Sequence, residues 1–220
     1  MLEKTLENLL KTALLPIGKT MYIYGGGWNE KDTGAGIEAM TLGIDPKWAE
    51  FAQKQDSSYN FKDYDYKQNK EYIHLGLDCS GYIGWLLYNI FQDKGYVDFS
   101  RKIANNLATE NKGKVKKSKY ITEYKAGDIM SGENVSHVWL SLGPCNDGSV
   151  VILHSSPSGV HISGTPTPKG IENSQAIDLA NKYMDKYYPV WNKKYPVKPF
   201  DYLGKYSQFR WYEQCFVRQI

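Results

Sequence analysis

The order of elements along the chain predicts an α+β fold, with helices first and the sheet second. Residues 79–91 (CSGYIGWLLYNIF) are apolar nearly all round a helix, which is typical of a buried helix. Residues 128–130, 136–142 and 150–155 carry short apolar runs bounded by turn residues, which is typical of β-strands. Because the helical part precedes the strand-rich part, the sequence predicts a single α+β domain.

The N-terminal segment, residues 1–20, predicts an amphipathic packing helix. Its apolar positions fall on one helical face, and they are Leu2, Leu6, Leu9, Leu10, Ala13 and Leu14. The other predicted elements are helices at residues 46–53, 99–110 and 173–187, a basic loop at 113–119, proline-punctuated coil after 187, and a last strand pair within 206–220.

Composition and charge exclude several classes of protein. The formal net charge of +3 gives no strong electrostatic argument for nucleic-acid binding. No run approaches the roughly 20 apolar residues that a membrane-spanning helix needs. The N-terminus carries Glu3 and Glu7 among periodic apolar residues, so it lacks the pattern of a secretory signal peptide. Three widely spaced cysteines without a CxxC pair predict neither a disulfide framework nor a thiolate zinc site.

The segment Gly76–Gly81 (GLDCSG) opens the predicted buried helix and places Cys79 at its N-terminus. Unsatisfied backbone N–H groups and the positive end of the helix dipole favour a thiolate there. The same N–H groups can stabilise an oxyanion when the sulfur attacks a carbonyl. The alternative interpretation is a small buried cysteine that only packs.

Two histidines stand at the ends of adjacent predicted strands, His137 at the start of one and His154 at the end of the next. If Gly143 and Gly148 face each other across the intervening turn, the histidines lie directly opposite on one face, about 5 Å apart at Cβ. A slip of one residue would place them on opposite faces. In this register His137 takes the thiol proton and His154 orients its ring. A zinc site of Cys79, His137 and His154 is an alternative, although the spacing matches no common zinc pattern.

Five segments, in order, resemble the NlpC-type cell-wall peptidases, a papain-like family. They are MYIYGGGW, GLDCSGYIGWLLY, YKAGDIM, SHVWLSLG and VVILHSSPSGVHIS, and they cover most of residues 21–30 and 76–164. The resemblance implies a papain-like fold, with a nucleophile helix packed on an antiparallel β-sheet. It implies hydrolysis of a peptide bond in peptidoglycan stem peptides, commonly between D-glutamate and the diamino acid. It also implies Cys79, His137 and His154 as the catalytic residues, with no metal and no cofactor.

The resemblance further implies that Tyr22, Asp78 and Ser80 hold the substrate. Asp78 could pair with a free amino terminus, and it is equally suited to cap the helix. Tyr22 could instead be a core aromatic residue. The turn at Gly127-Asp128 is expected to shape the entry to the sheet rather than to contact substrate.

The chain departs from the family pattern in its insertions and at one position behind the catalytic histidine. Residues 29–75 form a long insertion that could be a lid, or whose tyrosines could pack it onto the domain. Residues 165–200 form a second insertion, and Trp139 stands where a small residue is usual after HV. The whole chain, residues 1–220, is still expected to be one catalytic domain.

Other functions keep the same motifs but change their use. One is a CHAP-type N-acetylmuramoyl amidase, and another is a catalytically inactive wall-binding module of the same fold. The expected partner is peptidoglycan or a muropeptide rather than nucleic acid, and the family resemblance suggests a secreted or cell-envelope protein although residues 1–20 carry no export signal. The remaining histidines and cysteines are expected to have no catalytic role, namely His74, His161, Cys145 and Cys215.

Overall fold

A computed structural model describes residues 3–28, 35–200 and 203–217, and it contains a six-stranded sheet flanked by helices. The strands are β1 (Gly113–Lys116), β2 (Ile129–Gly132), β3 (Val138–Pro144), β4 (Val150–Ser156), β5 (Gly159–Gly164) and β6 (Tyr206–Trp211). Their order is β1-β6-β2-β3-β4-β5, and every neighbouring pair is antiparallel. The α+β fold class predicted from the sequence is therefore confirmed.

The helices follow the sequence prediction closely in the first half of the chain. They are α1 (Leu6–Leu14), α2 (Pro46–Lys54), α3 (Cys79–Phe91), α4 (Ile103–Thr109), α5 (Gln175–Tyr187) and α6 (Pro189–Lys194). The segment of α6 was predicted as coil, but Pro189 occupies the first helical turn, where its missing N–H is tolerated. In the described ranges, no helix is both long enough and apolar enough to cross a membrane.

Helix α3 is buried along almost its whole length because its sequence is apolar on every face. It packs against β3 and β4 on one side and against α1 on another. The Tyr82 hydroxyl donates to the Ala13 carbonyl (2.8 Å), and Trp85 Nε1 donates to the Gly43 carbonyl (2.9 Å). These contacts tie α3 to α1 and to the first insertion, so the position of its N-terminus is set by the core.

The two faces of the sheet border two different apolar clusters. Val138 and Leu140 of β3 pack in the large core that contains α3. Trp139, between them, packs with Tyr206 and other residues in a smaller cluster on the opposite face. Because side chains alternate along a strand, His137 belongs to the same face as Trp139. The packing behind His137 is accordingly built around a large indole, as the departure from the family pattern suggested.

The prediction of a last strand pair within residues 206–220 was wrong. The described part of that segment, up to residue 217, contains β6 alone, and residues 218–220 lie outside the described range. The partners of β6 are β2 and β1, and β1 comes from the segment predicted as a basic loop. In β1, Val115 pairs with Phe209, so one apolar residue among lysines is enough for an edge strand.

The register between β3 and β4 differs from the predicted one by two residues. Leu140 pairs with Leu153, and the register shifts at an irregularity before Gly143, whose φ is 121°. The turn glycines therefore do not set the pairing at the histidine end of the strands. Continued along both strands, the observed pairing makes His137 and His154 diagonal neighbours rather than directly opposite residues. The shift is by an even number of residues, so both histidines remain on the same face.

Candidate active site

A cavity of about 600 Å³ opens beside the N-terminus of α3, and Cys79 forms part of its wall. Asp78, Ser80 and Tyr22 line the same cavity, so four of the six predicted site residues lie together. Aromatic side chains make up much of the remaining wall, namely Tyr24, Trp28, Tyr66 and Phe99. The cavity is thus a place where a substrate can approach the Cys79 sulfur along apolar walls.

A glycine-rich turn positions the N-terminus of α3. The Asp78 N–H donates to the Gly26 carbonyl (3.1 Å). A Cβ atom at Gly81 would collide with the Gly26 carbonyl oxygen, and a Cβ atom at Gly26 would collide with that of Gly76. Only glycine permits so close an approach of backbones. The YGGG and GLDCSG motifs are therefore two halves of one backbone contact that holds Cys79.

Asp78 caps α3, which confirms one of its two predicted roles. Its Oδ1 accepts hydrogen bonds from the Gly81 N–H (2.6 Å) and from the Ser80 hydroxyl (2.9 Å). Trp28 Nε1 in turn donates to the Ser80 Oγ (3.0 Å). Burial raises the pKa of Asp78 to about 6, although the hydrogen bonds oppose the rise. Asp78 and Ser80 thus line the cavity while their polar atoms already have partners in the protein.

Cys79 is held as a neutral thiol, contrary to the prediction of a thiolate at the helix N-terminus. Burial raises the pKa of Cys79 and the charge of Asp78 raises it further, while backbone N–H groups of Val138 and Ser80 oppose the rise only in part. A side chain that is 6% exposed loses more hydration on ionisation than the helix N–H groups replace. The contact with the Val138 N–H places the sulfur at the start of β3, one residue from His137.

The two predicted histidines contact each other directly. His137 Nε2 lies 2.9 Å from His154 Nδ1, and the rings are nearly perpendicular at 80°. Phe200 packs against both rings, with centroid distances of 5.3 Å to His137 and 4.8 Å to His154. Phe200 was not among the predicted site residues, because it is the last residue of the second insertion and carries no local signal of its position. Its ring limits how the two imidazoles can turn.

Burial keeps His154 neutral, because it holds the pKa of this histidine well below its usual range. A neutral imidazole donates through one ring nitrogen and accepts through the other. In the arrangement that suits a base, His137 Nε2–H donates to His154 Nδ1, and His137 Nδ1 is the nitrogen that receives a proton. His154 then carries its own proton on Nε2, a buried atom without a hydrogen-bond partner in the described part of the chain.

His161 completes a cluster of three histidines that we call the histidine cluster. It pairs with His154 across β4 and β5, with ring centroids 4.8 Å apart. Its Nδ1 lies 3.0 Å from the Gly159 carbonyl, so Nδ1 is the protonated nitrogen, and burial lowers its pKa to about 4. The sequence analysis gave His161 no role. Pro157 and Ser158, the two residues between β4 and β5, form a hairpin turn, which is the local signal that could have revealed this pairing.

Tyr22 links the cavity to the first insertion. Burial raises the pKa of Tyr22, and the proximity of its hydroxyl to the ionisable groups of Cys79 and Asp78 adds to the rise. The ring packs edge-on against Phe61 at 5.3 Å, and the Tyr22 carbonyl accepts a hydrogen bond from the Tyr59 hydroxyl (2.5 Å). Tyr22 is therefore both a wall of the cavity and a packed aromatic residue.

The first insertion packs most of its tyrosines and contributes one to the cavity. Tyr59 and Tyr64 stack at 5.4 Å, and Phe51 of α2 contacts both rings edge-on. Tyr66 instead stacks on Tyr24 at 6.3 Å, at the wall of the cavity. The packing interpretation therefore holds for Tyr59 and Tyr64, whereas Tyr66 is placed to contact a bound ligand.

His74 forms a polar contact within the first insertion, outside the cavity. Its Nδ1 contacts the carboxylate of Glu38, a residue that is only 6% exposed. Neither residue lines the cavity that contains Cys79. This pair instead connects two short helical turns within the first insertion.

The GD motif forms a second polar cluster in the sheet, away from the cavity, which we call the Asp128 cluster. Asp128 Oδ2 accepts from the Lys125 N–H (2.7 Å), from Gln208 Nε2 (2.8 Å) and from the guanidinium of Arg210 (2.8 Å). Asp128 Oδ1 accepts a further bond from Arg210 Nε (2.9 Å). The motif therefore fixes the turn into β2 and joins it to β6, as predicted.

Cys79 contacts the backbone at the start of β3, and the pair of His137 and His154 lies at the same end of that strand, although neither histidine lines the cavity. Among the described residues, no three His, Cys, Asp or Glu side chains are placed to share a metal ion. Cys145 and Cys215 are free cysteines that lie outside this cavity. Comparisons of the chain with models of protein families, with curated proteins and with solved structures found no match.

Proposed function

We propose that the protein is a cysteine peptidase of the NlpC type, with a papain-like arrangement of nucleophile helix and sheet. The observation that carries the proposal is the position of Cys79. It lies at the N-terminus of a buried helix, on the wall of a 600 Å³ cavity, and its sulfur contacts the backbone of the residue after His137. Three sequence motifs that are far apart in the chain thereby meet at one end of β3.

In the resting state Cys79 is a neutral thiol and His154 is a neutral imidazole. Burial raises the pKa of Cys79 and lowers that of His154, so neither charge is stable before substrate binds. The thiol proton therefore moves to His137 Nδ1 as the sulfur attacks the scissile carbonyl. His154 accepts the Nε2–H of His137 and stabilises the imidazolium that forms, as the third member of a triad does.

The N-terminus of α3 supplies electrostatic stabilisation for the next step. Its first backbone N–H groups have no partners within the helix and point toward the carbonyl oxygen of a substrate held at Cys79. Collapse of the tetrahedral intermediate breaks the C–N bond, and His137 gives its proton to the leaving amine. Water then hydrolyses the thioester with His137 as base, which regenerates the thiol.

The substrate class follows from the family resemblance and agrees with the walls of the cavity. The proposed substrate is a peptidoglycan stem peptide, cut between D-glutamate and the diamino acid. Tyr22 and Tyr66 form one aromatic side of the cavity, and Trp28 and Phe99, whose rings are 5.1 Å apart, form another. Such walls suit an extended peptide with short side chains, held between apolar surfaces near the sulfur.

One observation favours a second candidate, a wall-binding module that has lost turnover. The Cys79 side chain is 6% exposed and its thiol is held neutral, so it is a weaker nucleophile at rest than an ionised cysteine. In this interpretation the same cavity binds the stem peptide without cleaving it. The histidine pair then serves only to pack the strand ends.

Mass spectrometry of purified muropeptides incubated with the protein tests the proposal. We expect cleavage after D-glutamate, and we expect Cys79→Ala to abolish it because no other group can form the thioester. Cys145→Ala is the matched control, since this cysteine lies outside the cavity, and it should cleave normally.

Other products would change the assignment in distinct ways. Release of free muramic acid from the peptide would assign the amidase reaction instead. Normal turnover by the Cys79→Ala variant would refute the nucleophile. Binding of muropeptides by the wild-type protein without any cleavage would favour the inactive module.

A further inference from the structure

Two basic side chains on the wall of the cavity that contains Cys79 have no ion-pair partner among the described residues. Arg101 and Lys102 both line the cavity and both are exposed. Within the described ranges, neither side chain has a hydrogen bond or an ion pair. The Lys102 ammonium lies 5.3 Å from the centre of the Phe99 ring, which holds it along the cavity wall.

The acidic residues nearest to these cations are already bound elsewhere. Glu133, the other acidic residue of the wall besides Asp78, accepts the Ser118 N–H (2.6 Å) and the Ser207 hydroxyl (2.8 Å). Asp78 caps α3 through its Oδ1. Asp98 lies three residues before Arg101, and its Oδ1 accepts a hydrogen bond from the backbone N–H of Phe99 (2.6 Å). Both acidic residues of the wall thus have hydrogen-bond donors within the protein, whereas the side chains of Arg101 and Lys102 have no acceptor among the described residues.

We propose that Arg101 and Lys102 form an anion subsite that recognises a carboxylate of the substrate. The planar guanidinium of Arg101 can bind both oxygens of a carboxylate, and Lys102 adds a second positive charge. The neighbouring rings of Trp28 and Phe99 provide an apolar surface for the carbon chain that carries the carboxylate. This inference deepens the proposed function and rests on it.

A stem peptide offers two carboxylates of this kind. One is the α-carboxylate of a glutamyl residue that is linked through its side chain, and the other is the terminal carboxylate of the diamino acid. Both share the chemistry that the subsite recognises. A peptide in which either is converted to a carboxamide keeps its shape but loses the charge, so amidation distinguishes the two sources.

Two alkylating agents test the subsite without any peptide. Iodoacetate carries a carboxylate where iodoacetamide carries an amide. With either reagent the Cys79 sulfur loses its proton to solvent and forms a C–S bond, and iodide leaves with the electrons of the C–I bond. The rate of labelling at each cysteine is measured by mass spectrometry at one pH. Cys145 and Cys215 are internal controls, because neither lies in this cavity.

We expect the ratio of the iodoacetate rate to the iodoacetamide rate at Cys79 to fall about three- to tenfold in an Arg101→Gln/Lys102→Gln variant. The ratios at the control cysteines should not change. Raising the ionic strength should reduce the wild-type ratio at Cys79, because exposed charges are screened. The matched control is Lys47→Gln/Lys54→Gln, which removes the same charge from exposed positions of α2 outside the cavity.

Two negative outcomes are distinguishable. If the ratio of the iodoacetate rate to the iodoacetamide rate at Cys79 is the same in the wild type and in the Arg101→Gln/Lys102→Gln variant, the subsite is refuted. The reactivity of the Cys79 thiol is not affected by that result. No labelling of Cys79 by either reagent, while Cys145 and Cys215 react, refutes the proposed nucleophile and with it the function on which the subsite rests. A preference for iodoacetate that the double variant abolishes supports the subsite.

Amidated stem peptides then assign the carboxylate. We expect one of the two amidations to lower kcat/KM about three- to tenfold in the wild type and to have no effect in the Arg101→Gln/Lys102→Gln variant. If both amidations act equally on the wild type and the variant, the cations do not read a carboxylate and the proposal fails.

Discussion

The histidine cluster and the Asp128 cluster are both buried polar groups of one sheet, but they are satisfied in different ways. Asp128 is charged, and its two oxygens accept four hydrogen bonds, two of them from Arg210. His154 is neutral, and one of its ring nitrogens has no hydrogen-bond partner in the described structure. The Asp128 cluster joins β2 to β6, whereas the histidine cluster joins the start of β3 to β4 and β5.

This difference separates a structural cluster from one that can do chemistry. A carboxylate that accepts four hydrogen bonds, two of them from a guanidinium, has no spare acceptor capacity, and protonating it would break part of this network. Neutral imidazoles in contact can pass a proton and exchange tautomers without losing their packing. We therefore expect changes in the Asp128 cluster to alter stability, and changes in the histidine cluster to alter activity.

The largest expected effect on activity comes from removing His137 from the histidine cluster. His137→Ala should lower kcat/KM for the muropeptide about a thousandfold, because it removes the general base. His154→Ala should lower it about ten- to hundredfold, because it removes only the group that orients His137. Steady-state kinetics measures both, and circular dichroism checks that the variants are folded. The reverse order would mean that the roles of base and orienting residue are exchanged.

Removing the carboxylate of the Asp128 cluster is expected to lower stability rather than activity. Asp128→Ala should destabilise the protein by about 3 kcal/mol, because it leaves Arg210 and Gln208 without their buried acceptor. For a chain of this size the melting temperature should fall by about 6–12 °C. Calorimetry measures the change, and kcat at 20 °C should stay close to that of the wild type.

Glu123→Gln is the matched control for the Asp128 cluster. Glu123 contacts the same Arg210, but its side chain is 54% exposed, so its loss should leave the melting temperature nearly unchanged. A melting temperature for Asp128→Ala equal to that of Glu123→Gln would show that burial of the pair has no structural role. The contrast with the histidine cluster would then disappear.

The smallest expected effect is a dependence of stability on pH that comes from His161 in the histidine cluster. The pKa of His161 is lowered to about 4, against about 6.5 in an unfolded chain. Below pH 6.5 the unfolded state therefore binds a proton that the folded state does not bind until about pH 4. The stability that neutral His161 contributes is complete above pH 6.5 and is lost as the pH falls. In His161→Gln this loss is absent.

Urea unfolding at pH 7, 6 and 5 measures this effect. The unfolding free energy of the wild type minus that of His161→Gln should fall by about 1 kcal/mol per pH unit between pH 6 and pH 5. Asp78, with a pKa raised to about 6, acts in the opposite direction in both proteins and cancels in the difference. Ser156→Ala, which removes a neutral neighbour of His161, should show a constant difference. A constant difference for His161→Gln as well would refute the neutral buried state.

The parts of the fold that depend on neighbouring residues were predictable. The apolar run at residues 79–91 predicted α3 with its bounds, and Asp78 was recognised as a possible cap because capping needs only the next three residues. The contact between His137 and His154 was anticipated from the pattern of the hairpin. Its predicted register was nonetheless wrong by two residues, because the irregularity before Gly143 depends on packing and not on the turn sequence.

Features that depend on distant residues were not predictable. The lysine-rich segment of β1 forms a strand only because β6, almost 100 residues later, offers a partner. Phe200 closes over the histidines from the end of the second insertion, and Arg101 reaches the Cys79 cavity from the start of α4. No local pattern around Phe200 or Arg101 indicates either position.

The amino-acid sequence by itself determined which reactive side chains the protein has, and that Cys79 begins a buried helix. The tertiary structure decided the state of those groups. The helix N-terminus alone favours a thiolate at Cys79, but burial in the core and the charge of Asp78 reverse the direction of the pKa shift. Hydration is lost only when distant parts of the chain close around a side chain, so the charge state of a buried group is a property of the assembled fold.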